Sequence, residues 1–279
     1  MTTKGNLIEN WQDQYAPLEV TYSENSSTVA DLSQLCSYEF VYEDVQKYLP
    51  GQPHAKVLER GSGSARNSVY LARRGYDVTC SDFSPQGLRL AKANFDAVGA
   101  SGTFIQDDLM NSNIPADSFD CVMSFGLLEH FEDLDALVAR LTRFVRPGGL
   151  QIHLVITKKF STATINNLIW FPYKFLRLAL KKRDFKNIVS RSYRDFPHYE
   201  NTYSYREYAR AFEGGGNKVL RCEPGDVLTP LILLPFGVGD VIVKAMGKQI
   251  RALHRATHRT ESHLLHVLSP TFTIVCRKE

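Results

Sequence analysis

Apolar and polar positions along this chain repeat with two periods. From Asp31 to Leu49 the apolar residues Leu32, Leu35, Phe40, Val41, Val45 and Tyr48 recur at helical spacing, and Pro50-Gly51 ends the run. Short apolar runs follow at Val57–Glu59, Tyr76–Ser81, Thr103–Gln106, Phe119–Phe125 and Leu150–Thr157. Between them lie helical patterns at Asn67–Arg74, Pro85–Val98 and Leu134–Val145. Gly75 stops the first of these. Ser84 and Pro85 open the second as N-cap and first helical residue. Pro147-Gly148-Gly149 stops the third. Strands alternating with helices at this spacing predict an α/β fold with a doubly wound, mostly parallel, Rossmann-like sheet and right-handed crossovers.

The alternation stops after Thr157. Residues 158–205 are basic and aromatic with no clean period. A helix is predicted at Tyr205–Phe212, a strand at Lys218–Cys222, a helical or irregular stretch over 226–269, and a last strand at Thr271–Cys276. The pattern therefore predicts seven strands in a single domain spanning 1–279. It carries an N-terminal helical flap (1–50), a lid insertion (158–205) over the strand ends, and a second insertion (226–269). Trp11 and Tyr15, four apart, are expected to pack the flap on the core.

Composition narrows the class. The net charge of +3 across 279 residues is too mild for a dedicated nucleic-acid binder. The five cysteines are scattered without a CxxC pair, which predicts buried thiols in a reducing, cytoplasmic compartment. The N-terminal MTTKGNLIEN has no apolar centre, so no secretory signal is expected. No run reaches the roughly 18 apolar residues of a membrane span.

The chemistry gathers where strands end. In Lys56-Val57-Leu58-Glu59-Arg60-Gly61-Ser62-Gly63-Ser64-Ala65, an apolar strand passes into a glycine-rich turn and then a helix. Glycines let the backbone turn sharply and approach a ligand, and the helix start presents free N–H groups. A dinucleotide turn needs a third glycine where Arg66 stands, so a nicotinamide site is not expected. Acids close the first three strands, at Glu59, Asp82 and Asp108. Ligands of doubly wound sheets bind at those ends.

The stretches LERGSGSA, VTCSDFS, FIQDDL, FDCVMSFGLLEHF and RFVRPGG stand in an order that resembles the class I S-adenosylmethionine-dependent methyltransferases, in the group acting on small molecules. The match covers about residues 55–157, with weaker agreement through FEGGGNKVLRCEP and TFTIVCRKE. The resemblance implies S-adenosylmethionine as cofactor and assigns roles. Gly61, Ser62 and Gly63 would face its methionine part, with Glu59 on the ammonium group. Asp82 would accept both ribose hydroxyls, and Phe83 would pack on the adenine. Asp108 and the Leu109 N–H would meet the adenine edge, although Asp107 competes for that role. Ser124 and Phe125 would line the sulfonium end. Asp120 reads as structural. Arg60 departs from the family, where a small or apolar residue is usual. Its charge must reach solvent or a carboxylate.

An oxygen acceptor needs a base, and the expected catalytic residues are His130 and, in the lid, His198. His153 alternates within a strand and reads as core. His254, His258, His263 and His266 are expected to be solvated. The ubiquinone-pathway O-methyltransferases resemble the chain at Leu128-Glu129-His130 but carry an acid where Gly126 stands, so no catalytic metal is expected. The acceptor implied is a small molecule or glycan-like compound. Arg191, Arg194, His198, Tyr203, Tyr205 and Arg206 suggest an anionic or hydroxyl-rich one, such as a phosphorylated or glycosylated molecule, and the lid stretch 165–186 leaves room for a lipid-linked one. Basic and aromatic residues over 165–186 could cover the pocket or touch a membrane surface. N-methylation, and a binding protein that keeps the fold without transfer, are the alternatives.

Overall fold

The structure is a computed structural model. It describes residues 19–52, 54–156, 200–225, 237–258 and 262–279, with single positions 172, 234 and 260. Trp11, Tyr15, His198 and nearly all of the lid insertion lie outside the described residues.

In chain order the elements are α1 (Val29–Tyr48), β1 (Lys56–Arg60), α2 (Arg66–Ala72), β2 (Asp77–Asp82), α3 (Pro85–Ala97), β3 (Thr103–Gln106), β4 (Phe119–Phe125), α4 (Leu134–Phe144), β5 (Val145–Ile156), α5 (Tyr205–Gly214), β6 (Asn217–Pro224), α6 (Val238–His258), α7 (His263–Leu268) and β7 (Thr271–Lys278). The sheet order is β3-β2-β1-β4-β5-β7-β6. β1 to β5 are parallel, and β7 runs antiparallel between β5 and β6. The predicted seven-stranded, mostly parallel sheet is therefore present, with one antiparallel hairpin.

The central strands are apolar on both sides because helices cover both faces. Val57, Cys121 and Met123 face a core shared with Tyr38, Val45, Val69 and Phe95 from α1, α2 and α3. Leu58 and Val122, their alternate neighbours, face a second core with Leu137, Phe144, Tyr208 and Phe212 from α4 and α5. Each such side chain contributes about 1.5–3 kcal/mol by leaving water. Helix starts follow the sequence cues. Ser84 Oγ accepts from Gly87 N at 3.2 Å, and Ser204 with Glu207 forms a reciprocal cap on α5.

Two expectations change. Pro147-Gly148-Gly149 does not precede β5 but lies inside it, where the pairing shifts from Phe119↔Val145 to Cys121↔Leu150. A Cβ on Gly149 would sit 2.9 Å from the carbonyl oxygens of Arg146 and Asp120, so this irregular segment needs glycine. His254, His258 and His266 are not solvated; each is buried, and of these four late histidines only His263 is exposed. α6 packs on α1, which brings His258 onto the Phe40 ring at 4.0 Å and within 3.3 Å of the Glu223 carboxylate. All five cysteines are free thiols. Among the described residues no helix is long and apolar enough to cross a membrane.

Candidate functional site

The turn from β1 into α2 places Gly61 (φ 61°), Gly63 (φ 47°) and Ala65 (φ 52°) in the left-handed region. Glycine adopts this region freely, whereas Ala65 carries a cost of about 1–2 kcal/mol. Strain of this kind persists where the surroundings over-determine the backbone, as at ligand clamps. A Cβ on Gly61 would lie 2.7 Å from Leu127 Cδ1, so the turn sits close against the loop after β4.

Glu59 closes β1 and is 3% exposed. One of its oxygens accepts from the Ser68 hydroxyl and, at 3.3 Å, from Ser68 N. Burial raises its carboxyl to about 7 against those hydrogen bonds. An incoming ammonium group would stabilise the carboxylate form. Asp82 closes β2 and is also buried. Its two oxygens accept from Gly63 N and Ser84 N, both at 2.8 Å, tying the glycine turn to the start of α3. Burial raises its carboxyl above the ordinary value despite those bonds.

At the end of β3 the two neighbouring acids separate. Asp107 takes the guanidinium of Arg60, with Nη1 to Oδ2 at 2.6 Å. Arg60 is 1% exposed, also donates to Ser81 Oγ at 2.8 Å, and lies over the Phe144 ring at 5.1 Å. Burial pushes the Asp107 carboxyl up, but hydrogen bonds from Ser112 and Arg60 outweigh it and hold the group below its ordinary value. Asp108 is exposed and caps the next turn, accepting from Met110 N at 3.0 Å. Leu109 is buried beside it and Phe83 is half-buried after β2.

A cleft of about 520 Å³ opens between the glycine turn and the loop after β4, walled by Ser33 and Ser37 of α1 on one side. Glu59, Gly61, Ser62 and Gly63 line it, as do Phe125, Glu129, His130 and Glu200. Asp82, Phe83, Asp108 and Leu109 lie outside its walls, at the ends of β2 and β3. Ser124 does not contribute its hydroxyl. It is fully buried and bonds His153 Nδ1 at 2.8 Å, so the side chain at this end of β4 that faces the cleft is Phe125. His153 is a core residue whose ring burial pulls down to about 3, stacked on Phe212.

The sequence reading passed over two residues here. Glu129, in the short turn Leu128–His130, is 1% exposed, and its Oε2 has no hydrogen-bond partner among the described residues. Burial raises its carboxyl to about 8 against backbone hydrogen bonds from its own residue and Ile156, and the Glu200 carboxylate adds to the rise. Asn201 holds this turn in place. Its N–H donates to Glu129 O at 2.6 Å, and its Nδ2 reaches Leu128 O, Phe131 O and Tyr208 Oη at 2.8–3.2 Å. The acid beside His130 was a visible signal for Glu129. Nothing local marks Asn201, which lies 70 residues on from Phe131. Among the described residues no group of three His, Cys, Asp or Glu side chains could hold a metal ion.

The chain is similar to known methyltransferases. A methyltransferase-domain family model matches residues 57–149. The ubiquinone biosynthesis O-methyltransferase of Methylocella silvestris is 28% identical over 173 residues, 59% of this chain and 68% of that protein. Other curated relatives are matched over 49% to 78% of their own lengths. Among solved structures, the [4+2]-cyclase SpnF matches with a TM-score of 0.59 at 13% identity, covering 99% of this chain and 96% of that one. A sarcosine dimethylglycine methyltransferase described as putative, from Galdieria sulphuraria, matches with a TM-score of 0.55 at 13% identity over 98% of each chain. These two likenesses are likenesses of fold.

Proposed function

Because the chain belongs to the class I S-adenosylmethionine-dependent methyltransferases, we propose that it methylates a hydroxyl oxygen of a small-molecule acceptor held between the glycine turn and the Phe125–His130 loop. The observation that carries this reading is the single cleft with two unlike walls. One wall is the glycine turn with Glu59, suited to a zwitterionic cationic ligand. The other bears His130 and Glu129, groups able to take a proton.

When bound, S-adenosylmethionine supplies an electrophilic methyl group. The chain's own residues bind and orient. Glu59 would hold the ammonium group and the main chain of Gly61, Ser62 and Gly63 the adjacent carbons. Asp82 keeps lone pairs for ribose hydroxyls beyond those given to Gly63 and Ser84. Phe83, Asp108 and the Leu109 N–H would flank the adenine, and Phe125 the reacting sulfur. Oxygen rather than nitrogen is supported by the O-methyltransferase named among the relatives. An acceptor that is glycosylated or lipid-linked stays within this proposal, as does membrane contact through 165–186. Arg60 lends no support to a non-transferring protein, because Asp107 neutralises it inside the fold.

Isothermal titration with S-adenosylmethionine tests the reading, followed by transfer of labelled methyl to hydroxyl and amine panels. Micromolar binding weakened at least tenfold in Asp82→Ala, with label on hydroxyl acceptors, is expected. Absence of binding overturns it, and label on amines alone moves the reaction to nitrogen.

A further inference from the structure

We propose that Glu129, rather than His130, takes the proton from the acceptor hydroxyl, and that the wall it forms with Glu200 selects a neutral or cationic acceptor over an anionic one. This rests on the O-methyl transfer proposed above.

The geometry singles out Glu129. Its side chain is 1% exposed, lines the cleft, and leaves Oε2 without a partner among the described residues. A buried polar oxygen left unpaired costs about 1–3 kcal/mol, and in native folds such an atom calls for an explanation. A hydroxyl group entering the cleft would satisfy it. His130 differs, because it already has a partner within the fold. Space is also reserved over the Glu129 carboxyl. Gly126 has φ 72°, and a Cβ there would lie 3.5 Å from Glu129 Oε1 and 3.3 Å from Ile156 Cδ1. The turn is fixed at its main chain by Asn201, so the carboxyl is pre-oriented on a supported element.

Charge decides the acceptor class. Among the described residues the ionisable groups lining the cleft are Glu59 and Arg66 on the glycine-turn side, with His130, Glu129 and Glu200 on the other. Arg66 acts on Glu59, whose carboxyl it pulls down. Among the described residues, two carboxyls therefore face the acceptor with no Lys or Arg beside them in that wall. A carboxylated or phosphorylated acceptor would meet repulsion there.

In the transfer the acceptor's O–H proton passes to a Glu129 oxygen, and the oxygen's electron pair forms the bond to the methyl carbon. The carbon–sulfur bond breaks with its pair going to sulfur, which becomes a neutral thioether. Glu129 then returns the proton to water. Free Glu129 holds its proton up to a pH of about 8. A sulfonium nearby favours the carboxylate, so cofactor binding itself would release the base.

The test compares S-adenosylmethionine with S-adenosylhomocysteine, which keeps the ammonium group but lacks the positive sulfur. Titration at pH 7 in buffers of different ionisation enthalpy counts the protons released. Wild type is expected to release more with S-adenosylmethionine than with S-adenosylhomocysteine. Glu129→Gln, of the same shape, should remove that difference while keeping affinity within about threefold. With neutral, cationic and carboxylated phenols as probes, Glu129→Gln should lose at least about 100-fold in transfer rate, and His130→Asn should lose less. The carboxylated probe should react slowest, and Glu200→Gln should narrow that gap. Equal proton release in wild type, the reverse order of the two variants, or loss of activity on adding EDTA overturns the proposal. Binding without these Glu129 effects sinks this inference alone; no cofactor binding by wild type sinks the reading beneath it.

Discussion

Arg60 Nη1 lies 2.6 Å from Asp107 Oδ2, and the two side chains are only 1% and 8% exposed. A cation thus sits beneath the cofactor turn, neutralised by an acid two strands away. Removing one member of a buried pair leaves the other charged and desolvated, which costs several kcal/mol. Arg60→Met is expected to lower unfolding stability by about 2–4 kcal/mol in urea titration. Arg60→Met with Asp107→Leu should recover most of it, the coupling showing as non-additivity.

That pairing separates the two acids at the end of β3. Asp107 is committed to Arg60, whereas Asp108 is exposed, and its two oxygens, which accept from Met110 N and Asn111 Nδ2, keep further lone pairs. Asp108→Ala is therefore expected to weaken S-adenosylmethionine binding by about tenfold, in line with one or two lost hydrogen bonds. Asp107→Asn should cost more in stability than in affinity. Calorimetric titration of both variants against their melting temperatures checks the division.

Glu59 and Glu129 both have carboxyls raised by burial, to about 7 and about 8. A raised carboxyl means the folded state holds a proton that the unfolded chain gives up near pH 4.5. The free protein should then lose stability as pH rises from about 4.5 to about 8. Glu59→Gln and Glu129→Gln should each flatten that slope and melt higher than wild type at pH 8. Cofactor affinity should move the other way and rise with pH through about 7, because the ammonium group requires the Glu59 carboxylate. Melting curves and titrations across pH 5–9 read both signs.

Asn201 ties the Leu128–Phe131 turn to α5 through Tyr208. Asn201→Ala removes the side-chain bonds to the Leu128 and Phe131 carbonyls and to the Tyr208 hydroxyl and should destabilise by about 1–3 kcal/mol. Because the turn carries Glu129, turnover should fall further than cofactor affinity. A ratio of kcat loss to affinity loss near one would count against this positioning role.

His258 joins α6 to α1 and β6 by stacking on Phe40 and meeting Glu223. His258→Ala should speed hydrogen exchange across Val238–His258 by at least about tenfold while the sheet stays protected. Uniform loosening of the whole molecule would mean that α6 is not a separate unit.

The sheet was legible because its strands are short apolar runs bounded by turn residues. The strand ends Glu59 and Asp82 were legible because an acid following such a run is unusual. Three features were not. The entry of β5 depends on its pairing with β4, and a register shift has no local composition signal, so Pro147-Gly148-Gly149 read as a boundary. His254 and His258 looked polar in sequence, and only the approach of α1 buries them. Glu129 stood out in sequence only as the acid beside His130, and the cleft shows its Oε2 without a partner among the described residues. Arg60 lay between these cases: the sequence required solvent or a carboxylate for it, and the fold supplied Asp107.

The reversed direction of β7 has one more outcome. Ile156 pairs with Thr271, and Pro224 lies opposite Phe272, so β5 and β6 both finish where β7 begins. That rim is the one bearing Phe125 and Glu129. Chain added after Ile156 or after Pro224 therefore starts and ends at anchored points beside the acceptor. Lengthening such an excursion costs only about 0.6 kcal/mol per doubling. If the proposed site is right, two insertion points at this rim would let acceptor preference diversify through changes in length and composition there, while strand pairing and the glycine turn stay as they are.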